Sequence, residues 1–285
     1  MTFTYHKAKT LAEAVALGAT YSDLPVLAGG TDLIAQKNSG LIDLHGVVDI
    51  SGVDELKVIK EEGKTIEIGA LATHADILKN EAVLKYLPLL AQACSTIGAA
   101  QIQNRGTIGG NIMNASPAGD TPPVLMVYES DFMLRDLKSE RWVPSRDFFT
   151  AYRQTAKRPD ELLTRIRLKK ANPTEEKTAF YKIGTRRAQA ISKIVMAVRG
   201  RISHGGIEWI NIALGSVAPT VVRANGTEAL LKGKVITQAL IEKARRSLHD
   251  EFHPIDDVRS TADYRRFVCG SLIAKFLRGC ISKKS

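Results

Sequence analysis

Two segments of the chain combine glycine with small polar residues in a way that favours an anionic ligand. The first, Val26 to Leu33, reads Val-Leu-Ala-Gly-Gly-Thr-Asp-Leu. Its paired glycines allow a tight turn in which several backbone N–H groups point at one spot, and a helix start behind them adds partial positive charge. A phosphate group would be stabilised there. Paired glycines also occur in such turns for purely steric reasons, so this segment alone does not decide the function.

The second segment is longer and is rich in Gly, Asn, Ser and Pro. It begins Gly106-Thr107-Ile108-Gly109-Gly110-Asn111 and continues to Ser116-Pro117-Ala118-Gly119-Asp120. Its small residues allow close approach of a large planar ligand, and its polar side chains offer hydrogen bonds. A surface loop explains the Gly and Asn content but explains the interspersed Ile112 and Met113 less readily. The mixture favours the lining of a pocket.

The energy of ligand binding predicts that the two segments act together. Nanomolar retention of a dinucleotide takes about 12 kcal/mol, whereas a charge-assisted hydrogen bond contributes roughly 1.5–3 kcal/mol. The few N–H groups of one glycine turn fall short of that total. We therefore expect the backbone amides of both segments to converge on one ligand.

Other motifs that carry chemistry are incomplete. The sequence contains no GxGxxG, HExxH or GxSxG motif. Gly63-Lys64-Thr65 resembles the end of a phosphate-binding P-loop, but Val58 stands where the first glycine is required, so we expect a turn before a strand. His249-Asp250-Glu251 with His253 collects metal-ligand residue types, which we interpret as a polar loop between helices.

Composition and charge limit the class of protein. The 285 residues, 44% hydrophobic and 25% charged, are typical of a soluble globular protein of two domains. Forty basic and thirty acidic residues give a net charge of +10, which suits an anionic cofactor, an acidic partner or nucleic acid. No recognised nucleic-acid module accompanies the charge, so we expect no nucleic-acid binding. Arg186 and Arg187 are interpreted as part of a solvated basic face.

Cysteine usage and hydropathy bear on metal centres and on the location of the protein. Cys94, Cys269 and Cys280 are far apart and form no CxxC pair, so any zinc or iron–sulfur centre is expected on a partner. No apolar run approaches the roughly 20 residues of a bilayer span. The N-terminus lacks the basic and apolar regions of a signal peptide. We therefore expect a cytoplasmic protein.

Periodicity and capping signals predict the elements that position the two segments. Helices are predicted over 11–19 (opened by Thr10 and Glu13), 31–38, 74–79, 88–97, 235–248 and 261–277 (opened by Ser260 and Asp263). Strands are predicted over 24–28, 47–50, 65–71, 124–135, 161–168, 191–202 and 207–217. Residues 98–123 are predicted to be irregular, which in a compact domain usually marks function. A polar stretch at 172–177 predicts a domain boundary in this mixed α+β chain.

The two segments together resemble a known family. Ala28 to Leu33 and Thr107 to Asp120 are similar to the medium, flavin-binding subunit of the molybdenum hydroxylases, which include xanthine, carbon monoxide and nicotinate dehydrogenases. Residues 215–224 and 257–266 resemble the C-terminal domain of the same family. The resemblance covers almost the whole chain.

The resemblance implies a fold and a cofactor site. The fold is α+β, with a vanillyl-alcohol-oxidase-like (PCMH-type) FAD-binding domain over 1–172, in subdomains of about 1–58 and 59–172. A small α+β C-terminal domain like that of CO dehydrogenase flavoproteins follows over 173–285. By matching positions, the FAD-binding residues would be Val26, Leu27, Ala28, Gly29, Gly30, Thr31, Asp32, Leu33, Ile97, Gly98, Thr107, Ile108, Gly109, Gly110, Asn111, Asp120, Leu162 and Lys182. The resemblance assigns no catalytic acid or base and no metal ligand to this chain.

The same residues have different implied roles. Residues 26–33 would wrap the FAD pyrophosphate, and residues 107–111 would contact the flavin and its ribityl chain. Ile97 and Gly98 would lie near the isoalloxazine, although some relatives have an aromatic ring where this chain has Ile97. Residues 120–160 contain no cysteine-rich insertion, which disfavours the branch resembling 4-hydroxybenzoyl-CoA reductase.

The resemblance also implies partners. A large subunit would carry molybdopterin and a small subunit [2Fe–2S] clusters, in a dimer of heterotrimers. Electrons would pass from the clusters through FAD to NAD or another acceptor. Two alternatives stay open from the residues alone, namely a self-sufficient flavoprotein oxidoreductase of the same fold and a basic module that binds nucleic acid.

Overall fold

The first sheet is small and parallel. The computed structural model describes residues 3–186 and 188–281, so Arg187 of the predicted basic face lies outside the described residues. Strands β1 (Thr4–Lys7), β2 (Val26–Leu27) and β3 (Gly46–Asp49) pair in the order β1-β3-β2. Helix α1 (Leu11–Thr20) connects β1 to β2, and α2 (Leu33–Asn38) follows β2. The Thr10 hydroxyl caps α1, as predicted, by accepting the N–H of Glu13. Strand β1 was not predicted, and β2 is shorter than the predicted 24–28.

The second sheet is antiparallel and has five strands. These are β4 (Ile59–Glu62), β5 (Thr65–Gly69), β6 (Asp131–Arg135), β7 (Glu140–Pro144) and, after the hairpin β8 (Phe149–Ala151) and β9 (Gln154–Thr155), β10 (Leu162–Lys169). Their order is β4-β5-β10-β6-β7. A 3-10 turn at Asp54–Leu56 leads from the first sheet into the second. Gly63 has a φ of 53° in the β4–β5 turn, so Gly63-Lys64-Thr65 forms the expected turn.

Short helices pack against this second sheet. They are α3 (His74–Lys79), α4 (Glu81–Tyr86), α5 (Pro88–Ser95), α6 (Ala100–Gln103), α7 (Ile108–Met113), α8 (Thr121–Val127) and α9 (Ser145–Phe148). The prediction of an irregular stretch over 98–123 is therefore wrong, as is the strand over 124–127. Every residue of α8 is buried, so no polar face gives it a helical period, and prolines at its first turn obscure its start.

The third sheet and its helices form the C-terminal part of the molecule. Strands β11 (Glu176–Ile183), β12 (Ile194–Ser203), β13 (Gly206–Gly215) and β14 (Val222–Arg223) pair antiparallel in that order. Helices α10 (Asn225–Leu231), α11 (Gln238–Glu251) and α12 (Ala262–Cys280) follow. Thr261, rather than the predicted Ser260, caps α12. Residues 249–251 end α11 and do not form the predicted loop, whereas His253 lies beyond the helix.

Helix α8 joins the second and third sheets. The Asn211 amide donates to the Val127 carbonyl at 3.1 Å and the Arg223 guanidinium donates to the Met126 carbonyl at 3.3 Å. Ala197 and Ala213 of the third sheet belong to the same buried cluster as α8. This packing places the start of α8, at Asp120, beside strand β11. Within residues 3–186 and 188–281, none of the helices combines the length and apolarity that a bilayer span requires.

Candidate cofactor-binding site

The two glycine segments touch each other. A Cβ on Gly29 would lie 1.8 Å from the carbonyl oxygen of Arg105, the residue that precedes the second segment. Gly30 has a φ of 74°, a left-handed conformation that favours glycine. Gly29 is therefore required for the backbones to approach and Gly30 for the turn, and Gly30 and Gly110 line the same cavity of about 690 Å³. Its volume lies within the range of small-molecule and cofactor sites.

Most of the predicted binding residues line this first cavity. They are Val26, Ala28, Gly29, Gly30, Thr31, Asp32, Leu33, Ile97, Gly98, Thr107, Gly110 and Asn111. The cavity therefore brings together three separate stretches of chain, around residues 30, 97 and 110.

The first segment presents unpaired donors. Within the described part of the chain, the backbone N–H groups of residues 29–33 have no protein hydrogen-bond acceptor. The Asp32 side chain, which precedes α2, bonds to Gln36 and does not cap the helix. Successive free amides around a left-handed glycine form a concave site that attracts anions. These residues fit the pyrophosphate of a dinucleotide, since a bound anion would satisfy donors that the protein leaves open.

The second segment contributes shape rather than donors. The amides of Ile108 and Gly109 donate to the carbonyls of Ala72 and Ala70 at 3.0 and 2.9 Å, and the Gly110 amide donates to Oγ1 of Thr107 at 3.0 Å. A Cβ on Gly109 would lie 2.6 Å from the Ala70 carbonyl oxygen, so this glycine lets α7 pack closely. The expectation that amides of both segments converge on a ligand is therefore wrong for residues 108–110. Their amides hold the wall of the cavity in place.

A second cavity of about 750 Å³ adjoins the first. The two share the lining residues Asp32, Ile97, Gly98, Asn111 and Arg153, among others, so they form one continuous cleft. The C-terminal part supplies much of its far wall, including residues 216–219 and 253–255. The cleft is thus built from both parts of the chain.

An ion pair joins the two parts at the second cavity. Nζ of Lys182, on β11, donates to Oδ2 of Asp120 at 2.5 Å and to the Thr96 carbonyl at 2.9 Å. The Ser192 hydroxyl donates to the other Asp120 oxygen at 2.7 Å. Burial raises the pKa of Asp120, and Lys182 and Ser192 oppose that rise by stabilising the carboxylate. Asp120 and Lys182 are therefore coupled beside Ile97 and Gly98, although no sequence spacing links them.

The remaining predicted residues lie elsewhere. Gly109 and Leu162 line a third cavity of about 270 Å³, which also borders Val26 and Ala28. Leu27 lies in β2, and Ile108 is fully buried in the core. Neither of these two lines the first, second or third cavity.

Several lining residues were not predicted. His74, at the start of α3, is 2% exposed, and burial lowers its pKa to about 4. Arg153, in the β8–β9 turn, has a φ of 54° and donates to Oδ1 of Asn114 at 3.3 Å. Ile191 lines both cavities. His74 and Arg153 lie outside the two glycine-rich segments, so no local sequence signal pointed to them.

The two parts of the chain match two family models. Residues 1–170 match the FAD binding domain in molybdopterin dehydrogenase, and residues 179–280 match the CO dehydrogenase flavoprotein C-terminal domain. The chain belongs to the FAD-binding subunits of the molybdopterin dehydrogenases. The predicted family, the α+β fold class, the oxidoreductase assignment and FAD as cofactor are confirmed.

Individual relatives are similar to this FAD-binding subunit over nearly its whole length. The carbon monoxide dehydrogenase medium chain of Hydrogenophaga pseudoflava is 34% identical over 276 residues, 96% of each chain. The nicotinate dehydrogenase FAD-subunit of Eubacterium barkeri is 30% identical and covers 93% of this chain and 91% of its own. The solved carbon monoxide dehydrogenase from H. pseudoflava superposes with a TM-score of 0.93 at 33% identity, covering 98% of this chain and 97% of the other.

Proposed function

We propose that this FAD-binding subunit relays electrons between iron–sulfur clusters of a small partner and an acceptor, in a complex whose large partner carries molybdopterin. The observation that carries the proposal is the continuous cleft, in which a cavity suited to FAD opens into a second cavity. Relatives of the chain include a carbon monoxide dehydrogenase medium chain and a nicotinate dehydrogenase FAD-subunit, which supports a role within a larger enzyme. The dimer of heterotrimers, the cytoplasmic location and the domain division at residue 172 stay predictions.

Residues of the first cavity would hold FAD. The open amides of residues 29–33 would bind the pyrophosphate, and Thr107, Gly110 and Asn111 with Ile97 and Gly98 would shape the space for the flavin. Asp120 and Lys182 would border the flavin from the second cavity, and Leu162 would border the third. FAD supplies reversible one- and two-electron transfer when it is bound. The chain itself contributes position, exclusion of water and local charge.

The second cavity would admit the electron acceptor. Arg153, Lys182, Arg259 and Arg265 lie on its wall, against the acids Asp32, Asp120 and Asp257. Lys182 and Arg265 are paired with carboxylates, at 2.5 Å from Asp120 and 2.6 Å from Asp257. Arg259 also lies 3.6 Å from Asp257, so Arg153 is the cation of this wall that has no carboxylate partner among the described residues. Four cations against three carboxylates leave the wall slightly positive, which favours an anionic acceptor such as NAD.

Purification of the chain with and without its partner subunits tests the proposal. We expect the acid-released chromophore of the isolated chain to be FAD, and we expect the flavin of the complex to be reduced by the substrate of the large subunit. The isolated chain should leave that substrate unchanged. Oxidation of an organic substrate by the isolated chain, at the rate of the complex, would instead favour a self-sufficient flavoprotein. A colourless chain that cannot be reconstituted with FAD would contradict the cofactor site itself.

A further inference from the structure

His74 lies where the two glycine segments meet. Its backbone N–H donates to the Gly106 carbonyl at 3.0 Å. A Cβ on Gly106 would lie 3.2 Å from Cδ2 of His74 and 3.3 Å from Oγ1 of Thr31. The imidazole and the Thr31 hydroxyl therefore flank the same small space. Gly106 keeps that space open.

The imidazole of His74 is buried but leaves a ring nitrogen without a hydrogen bond to the described part of the protein. Its Nδ1 is buried and has no hydrogen-bond partner among the described residues, and the side chain lines the first cavity. Helix α3 is already capped by Thr73 and Asp76, whose side chains bond reciprocally to each other's backbone. Most buried polar atoms in folded proteins have a partner. Nδ1 lies on the ring edge opposite Cδ2, so Nε2, which is bonded to Cδ2, is the nitrogen that can donate to a molecule in the cavity beside Gly106.

The charge state of His74 and of its neighbours indicates which kind of chemical group the ring would bind. Burial lowers the pKa of His74 to about 4, so at neutral pH the ring is uncharged and carries one N–H donor. Among the described residues that line the first cavity, Arg153 is the cation, and it lies at the border with the second cavity. An anion beside residues 29–33 would therefore be bound mainly by uncharged donors. The His74 ring adds a donor next to those amides.

We propose that His74 is a phosphate-binding residue of the cofactor site, donating a hydrogen bond to the pyrophosphate of FAD. The inference rests on the proposed FAD site and adds a third stretch of chain, at the start of α3, to the pyrophosphate contacts. The geometry assigns the ring to the phosphate end of the cavity because it lies against Gly106 and Thr31, beside the open amides of residues 29–33.

Binding of three ligands to the full-length chain tests this inference. FAD and ADP contain the pyrophosphate, and riboflavin contains only the flavin. For His74→Ala we expect the dissociation constants of FAD and ADP to rise by the same factor, about tenfold, with riboflavin binding unchanged. For His74→Gln, which keeps an N–H donor, the rise should be smaller. A loss of riboflavin affinity with ADP unaffected, or no loss for any ligand, would overturn the proposal.

His6 offers a matched control. Its Nε2 is also buried without a partner, but its ring stacks on Tyr21 at 3.8 Å and lines none of the three cavities described above. His6→Ala should leave FAD and ADP affinity unchanged. If His74→Ala does not fold, the phosphorus NMR signals of FAD bound to His74→Gln decide: they should move relative to the wild type, and unchanged signals contradict the contact. Failure of the wild-type chain to bind FAD would instead refute the proposed function.

Discussion

The carbonyl oxygen of Arg105 occupies the place where a side chain on Gly29 would begin, 1.8 Å from the ideal Cβ position. The obstructing atom belongs to the backbone and cannot rotate away as a flexible side chain would. The contact therefore fixes the distance between the two glycine segments. The shape of the first cavity therefore depends on the absence of a Cβ atom at residue 29.

Gly29→Ala should separate the two segments and weaken FAD binding. Because the methyl group can be placed only by moving backbone, we expect destabilisation of about 1–3 kcal/mol and a loss of FAD affinity of at least tenfold. Fluorescence titration and denaturant unfolding measure the two effects. Gly18→Ala is the control, since a Cβ there meets nothing within 4 Å. Within α1 that change should raise stability by up to about 1 kcal/mol. Unchanged FAD affinity in Gly29→Ala would contradict the role of the contact.

Lys182→Met should destabilise the chain in a pH-dependent way. The change leaves the Asp120 carboxylate, 7% exposed, without its cation, and breaking a buried pair costs about 3–5 kcal/mol. Burial already raises the pKa of Asp120, and loss of Lys182 raises it further. A carboxyl with a raised pKa in the folded state loses its contribution to stability as the pH rises through that pKa. The deficit should therefore be small near pH 4 and largest above neutrality, as urea unfolding across that range would show.

The exposed pair Lys57–Asp54 is the matched control for this ion pair. Its atoms are 2.7 Å apart, but the side chains are 44% and 90% exposed. Lys57→Met should change stability by less than about 1 kcal/mol. A deficit in Lys182→Met as small as this, or one independent of pH, would show that the Lys182–Asp120 pair does not join the two parts of the chain.

Thr107 should act through its hydroxyl as a helix cap. Because Oγ1 accepts the Gly110 amide at 3.0 Å, Thr107→Ala should lower stability by about 1 kcal/mol and loosen α7. Thr107→Ser keeps the oxygen and should retain both stability and FAD affinity. Thermal unfolding and FAD titration of the two variants measure the difference. Equal losses in both would indicate that the methyl group, and not the cap, is what matters.

His74 should make the FAD-free chain less stable in acid. Its pKa is lowered from 6.5 to about 4 by burial, so the unfolded chain takes up this proton more readily than the folded chain. The associated stability is present above pH 6.5 and is lost as the pH falls towards 4, by about 3 kcal/mol in total. In His74→Gln that part of the pH dependence should disappear. Denaturant unfolding of both proteins between pH 7.5 and 4.5 tests this, and a constant difference between them would refute it.

Several helices and strands were predicted from the sequence, whereas β4, β7, α4 and α10 were missed. Thr10 caps α1 as expected, and the helix predicted over 74–79 has those bounds in the structure. Helix α8 was missed because it is buried on every side and so has no polar face. Strand β1 was missed because its short run Thr4–Lys7 gains its partner, β3, from residues 46–49. Such pairing depends on tertiary structure and leaves no local signal.

The residues of the candidate site were likewise predictable only in part. The segments around Gly30 and Gly110 could be predicted because their composition is itself unusual. Arg153 and His74 could not, since a lone arginine in a turn and a lone histidine on a short helix have many ordinary explanations. The sequence also did not show that the two segments use their backbone amides differently. Only the structure shows that the amides of residues 29–33 are open and that those of residues 108–110 bond within the protein.

The open amides of residues 29–33 bear on how this site can change over evolutionary time. An N–H group is common to every amino acid except proline, so replacing Thr31 or Leu33 removes no amide donor. Residue 29 must stay without a side chain, and residue 30 must keep its left-handed conformation. Descendants of this chain could therefore diverge widely in side-chain chemistry along this loop and still hold the same cofactor.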